Sequence, residues 1–145
     1  METLRFFPYT MDARRVILHA RQAADAVGGN EIAPEHLVLG LLENDVRSAR
    51  SFQAKAIDLD ELRQTLRRML GTQQRPETPD IPLADETRKI LDLARDEARR
   101  RTDDKVKSED ILVAILIADT SLSHLLLATG LRVDELRRES QVDRP

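Results

Sequence analysis

The stretch that decides the fold is Glu35-His36-Leu37-Val38-Leu39-Gly40-Leu41-Leu42. It opens on a carboxylate and runs apolar on nearly every side. A helix that is hydrophobic all round belongs at the centre of a bundle, not on its surface. The pattern returns 74 residues later as Glu109-Asp110-Ile111-Leu112-Val113-Ala114-Ile115-Leu116. Two such segments predict two copies of one helical unit, each packed round its own central helix.

Working outward, the offset of 74 holds without a gap: Ala20-Arg21 answers to Ala94-Arg95, and Asp60-Glu61-Leu62-Arg63 to Asp134-Glu135-Leu136-Arg137. Apolar positions correspond as well, Ile17 with Leu91 and Ile32 with Val106. A register kept over a whole repeat marks an internal duplication. Before the first central helix, Ala13, Val16, Ile17, Ala20, Ala24 and Val27 recur at spacings of three and four, an amphipathic helix capped by Thr10 and stopped by Gly28-Gly29-Asn30. Pro34 suits the first turn of the central helix. A short helix through Phe52 and Ala56 follows, then one capped by Asp58 with Glu61 three residues on. The expected fold is all-α: two tandem four-helix repeats, residues 9–71 and 82–145, joined by a Pro-containing linker at 72–81, packed as one pseudo-twofold eight-helix domain spanning 1–145. An apolar arm, Leu4, Phe6, Phe7 and Tyr9, is expected to pack across the first helix.

Composition narrows function. Of 145 residues, 41% are hydrophobic, 34% charged and 3% aromatic, which favours helices. The net charge of -3 argues against a nucleic-acid reader. With no cysteine there is no disulfide framework and no thiolate ligand. No leader or span-length apolar segment is present, so a cytoplasmic protein is the default expectation. No Gly-x-x-x-x-Gly-Lys-(Ser/Thr) loop occurs, and no Ser-His-Asp or His-Glu-x-x-His pattern, so neither an enzyme nor a cofactor is expected.

Tyr9-Thr10-Met11-Asp12-Ala13, followed by Ile32-Ala33-Pro34-Glu35-His36-Leu37-Val38-Leu39-Gly40-Leu41-Leu42, resembles the Clp N-terminal repeat domain at the front of Clp-type AAA+ unfoldases. Val106-Lys107-Ser108-Glu109-Asp110-Ile111 keeps that motif more loosely. The resemblance covers essentially the whole chain and implies a non-catalytic docking module. Its partners would be a Clp ATPase, adaptors or substrate proteins, in ATP-dependent proteolysis or remodelling. The alternative is a small helical regulator that binds nucleic acid or a transcription partner.

The candidate binding residues are Pro34, Glu35 and His36 in the first repeat and Ser108, Glu109 and Asp110 in the second. Glu35 and Glu109 suit the first turn of a helix as simple caps. The resemblance adds that such acidic residues help bind arginine-phosphorylated substrates in some relatives. A carboxylate pairs with the guanidinium, and helix amides can take the phosphate. The family usually has Thr before the Glu. Pro34 removes an amide there, whereas Ser108 keeps one, which favours the second site. His36 is expected to be structural, bonding a neighbouring loop. Arg99-Arg100-Arg101, with Lys105 and Lys107, reads as a solvated basic face complementing a helix C-terminus, or else as a docking patch for an acidic partner.

Overall fold

A computed structural model describes residues 9–26, 29–44, 46–71 and 81–142, with the backbone alone at 44, 46–49 and 140–142. Residues 1–8 of the expected arm and 72–80 of the expected linker lie outside the described residues. Eight helices follow in order: α1 Met11–Ala26, α2 Pro34–Asn44, α3 Val46–Ala54, α4 Leu59–Leu70, α5 Asp85–Arg100, α6 Ser108–Ile117, α7 Ser121–Ala128 and α8 Val133–Val142. Thr10 Oγ1 accepts from the Ala13 amide at 3.2 Å, and Asp58 Oδ1 from the Asp60 and Glu61 amides at 3.0 and 3.2 Å. Both are the caps the sequence leads one to expect. The third helix is shorter than expected: it ends at Ala54, and Ala56 turns the chain with φ 56°.

The two all-apolar helices are the core. Every residue of α6 from Ser108 to Leu116 is buried, as are Leu37 to Leu42 of α2. Leu37, Leu41, Ile111 and Ile115 are each fully enclosed, and each such side chain stabilises the fold by roughly 1.5–3 kcal/mol. α1 lies closely against α2. A Cβ on Gly40 would be driven into the carbonyl oxygen of Val16, with the Val16 carbon at 3.2 Å and the Ala20 nitrogen at 3.3 Å. The matching residue in the second half is Ala114.

Each half packs round its own central helix, and the halves also exchange backbone. Tyr9 pairs with Val106, and Ile32 with Leu83, in two short parallel bridges. The offset of 74 turns one bridge into the other. The Thr10 amide donates to Val106 O at 3.0 Å, and its counterpart, the Ala84 amide, donates to Ile32 O at 3.1 Å. Each half therefore satisfies the backbone ahead of the other's central helix. Thr87 adds a buried bond, its hydroxyl donating to Ile32 O at 2.7 Å. Lys55 Nζ to Glu135 at 3.0 Å ties the turn after α3 to α8 across the halves. Within the second half, Arg137 of α8 grips the buried Glu97 of α5 with two bonds of 2.8 and 3.0 Å.

Candidate functional site

The exchanged bridges decide what surrounds each central helix. Because Ile32 pairs with Leu83, the N-terminus of α2 opens beside that of α5. Because Val106 pairs with Tyr9, α6 opens beside α1. Each mouth thus brings together two helix starts from opposite halves, the positive ends of two helix dipoles.

At the first mouth Glu35 is half-buried. Burial pushes its carboxyl up, a bond from its own amide pulls it back, and the charge of Glu86 on α5 pushes it up again. Glu86 itself is exposed, so this mouth carries two acidic side chains of unequal burial. Pro34 is buried and occupies the first helical position. At the second mouth Ser108 and Glu109 are both buried, and the Ser108 hydroxyl donates to Glu109 Oε1 at 3.0 Å. Glu35 is therefore the more open of the two acidic side chains.

His36 and Asp110 do one job in the two halves. His36 Nδ1 accepts from the Ala33 amide at 2.9 Å, and Asp110 Oδ2 accepts from the Lys107 amide at 2.8 Å. Each closes the turn before its own central helix from the N3 position, by the one bond that an Ala or Lys N-cap allows. His36 is thus structural, although its bond goes back to Ala33 just ahead of its own helix. Since Nδ1 accepts, the proton sits on Nε2, which is buried without a hydrogen-bond partner. Burial lowers the His36 pKa to about 4.

The basic cluster is corrected. Arg99 and Arg100 are exposed, but Arg101 is buried. Its guanidinium forks onto Asp110, with Nε to Oδ1 at 3.1 Å, and also reaches Asp103 at 3.1 Å. Burial pushes the Asp110 carboxyl up, while Arg101 and the Lys107 amide pull it back. Sequence reasoning missed this pair. One signal was available: the residue 74 before Arg101 is Val27, and the residue 74 before Asp110 is His36, so charge enters or leaves both positions together.

Among the described residues no three His, Asp or Glu side chains converge as metal ligands. No single helix among them is long and apolar enough to cross a membrane.

The fold and its paired mouths define a class: a duplicated all-α domain built on two buried helices with exchanged N-terminal segments. Residues 8–129 match the Clp repeat (R) N-terminal domain, and the chain belongs to that family. In Clp ATPases this domain serves as a protein-interaction module, apart from the ATPase modules. The chain is 26% identical over 114 residues to the chaperone protein ClpB of Oceanobacillus iheyensis, covering 78% of this chain and 14% of that one. It is 31% identical over 112 residues to an uncharacterized protein of Mycobacterium tuberculosis, covering 77% of this chain and 44% of that one. The chain thus spans less than half the length of these relatives. The Hsp104 N-terminal domain of Candida albicans superposes with a TM-score of 0.76 at 18% identity, covering 92% of this chain and 89% of that one, a likeness of fold alone.

Proposed function

We propose that this chain is a non-catalytic docking module for adaptor or substrate proteins of a Clp-type ATPase in the cytoplasm, and that Glu35 marks its principal contact. The observation that carries the reading is the first mouth. The half-buried Glu35 lies at the start of α2, which the Ile32–Leu83 bridge sets beside the start of α5 and its exposed Glu86. A partner's guanidinium fits between the carboxylates, and a phosphate on it meets the neighbouring helix amides. An arginine-phosphorylated substrate supplies both charges in one side chain. Glu109, with Ser108 and Asp110 beside it, forms the second and more enclosed site, while Pro34 and His36 shape the first. A matched structure described as a peptide from the Sci1 SciI protein supports peptide docking on this fold.

The test is a titration of the chain with free phosphoarginine, followed by amide chemical shifts. Shifts centred on residues 35–37 and 85–87, lost in Glu35→Gln, are expected. Shifts confined to 108–111 would move the contact to the second mouth, and no shift at millimolar ligand would remove phosphoarginine from the proposal.

A further inference from the structure

Because the chain is duplicated, a buried polar group in one half can be set against its counterpart 74 residues away. Arg137 of α8 and Arg63 of α4 are such a pair. Arg137 Nε donates to Oε2 of the buried Glu97 at 2.8 Å. Ala23 stands where Glu97 would be, and Arg63 Nε is buried without a hydrogen-bond partner. Arg63 Nη1 reaches Asp60 at 3.0 Å and its Nε stands 3.6 Å from Glu43, but those side chains are 88% and 58% exposed. Exposed pairs contribute little. His36 and Asp110 repeat the contrast. Asp110 accepts from Arg101 Nε at 3.1 Å, whereas Val27 stands in the place of Arg101 and His36 Nε2 is an orphaned donor. Each orphaned donor weakens the half that buries it. α2 also carries Gly40 where α6 carries Ala114, a better helix former. Thr102 runs the other way, held at φ 56° where the first half has Gly28. One strained residue does not offset two orphaned donors and a helix glycine.

We propose that the domain opens in two tiers: α1 to α4 open as one unit while α5 to α8 stay folded, and this opening uncovers the start of α6. The second half keeps its own core when the first opens, because α5 packs on α6 and the Arg101–Asp110 and Arg137–Glu97 pairs both lie within it. What the first half takes with it is α1 and the Tyr9–Val106 bridge beside the start of α6. Solvent then reaches the enclosed mouth with Ser108 and Glu109 while α6 remains a helix. That this gates a second docking contact rests on the docking role proposed for Glu109; the opening itself does not.

The experiment is native-state hydrogen exchange of the full chain in low urea, read amide by amide by NMR. Amides of α2 should be protected roughly a hundredfold less than those of α6. The Ala84 amide is the sharpest reporter. It belongs to the second half in sequence but bonds to Ile32 O, so it should exchange with the first half. Glu97→Ala should lower protection across α5 to α8 and leave α1 to α4 unchanged, because the first opening does not break that pair. Ala23→Glu gives Arg63 the partner that Arg137 has and should raise the protection of α1 to α4 roughly tenfold. The chain has no cysteine, so Ser108→Cys carries one thiol. Its labelling should be slowed by the factor that protects α2, not by the larger one that protects α6. Equal protection of the two halves, or a Glu97→Ala loss shared by all eight helices, overturns the proposal. So does a thiol that is labelled only as fast as α6 exchanges, or an Ala23→Glu protein whose first half is no better protected than the parent's. No readout here uses a ligand, so a failed phosphoarginine titration would count against the docking reading and leave the two-tier opening standing.

Discussion

Gly40→Ala sets two effects of opposite sign against each other in the middle of α2. Helix propensity alone favours alanine by about 1 kcal/mol. The structure opposes it, because the new methyl meets the Val16 carbonyl of α1 well inside contact distance, with Val16 carbon at 3.2 Å and Ala20 nitrogen at 3.3 Å. These are backbone atoms of a packed helix and cannot rotate aside as a side-chain end would. Relief requires α1 to move off α2, which opens space around Ala13, Val16, Ala20 and Leu41, all fully buried. Overpacking of this kind costs about 1–3 kcal/mol, and the upper end applies when backbone must shift. The clash therefore outweighs propensity, leaving a net loss of about 2 kcal/mol and a fall in melting temperature of about 5 °C for a chain of this size. Thermal melts and urea titrations followed by circular dichroism measure it. The reciprocal change, Ala114→Gly, lacks any clash to relieve and should cost about 1 kcal/mol from propensity alone. If Gly40→Ala melts at or above the parent, the close crossing of α1 and α2 is wrong.

Three further outcomes follow from the buried charges. Arg101→Ala leaves Asp110 enclosed without its guanidinium, and urea unfolding should show a loss of about 3–5 kcal/mol. The His36 pKa, about 4 when folded against 6.5 for the free side chain, means that the unfolded chain takes a proton the folded chain refuses. Its contribution is complete above 6.5 and drains as pH falls toward 4, by up to about 3 kcal/mol. His36→Gln, which keeps an N3 acceptor, should flatten that limb of the stability–pH curve; an unchanged curve would show that His36 is not what titrates. Glu35 has the opposite sign. Its raised carboxyl pKa makes the ionised form a burden on the folded state, so Glu35→Gln should be the more stable protein at neutral pH. That gain should disappear as acid protonates Glu35, and a stability loss at neutral pH would instead make the carboxylate a net cap.

Much of the site was legible only as positions. Glu35 and Glu109 could be placed at helix starts because an acidic residue followed by an apolar run has one common reading. Their exposure could not, because it depends on what the neighbouring helix start brings. Glu86 reaches the first mouth through the Ile32–Leu83 bridge, a contact between residues 51 apart in the chain. Arg101 misled for a related reason. Next to Arg99 and Arg100 it looks like part of a solvated run, but the helix ends at Arg100 and the chain turns inward. Its partner Asp110 needs a cation because α6 is buried from its first turn.

By itself the sequence determined that this protein is helical, that it is duplicated, and that its two all-apolar segments are central. Periodicity and an unbroken offset are properties of the chain, and any fold that buries those segments must respect them. Only the tertiary structure decided that the halves exchange their leading backbone, that one acidic mouth is open and the other enclosed, and that one arginine of three is buried. Those outcomes depend on which unsatisfied amides, carbonyls and charges meet across the pseudo-twofold, and a single strand of sequence does not say which distant group will satisfy them.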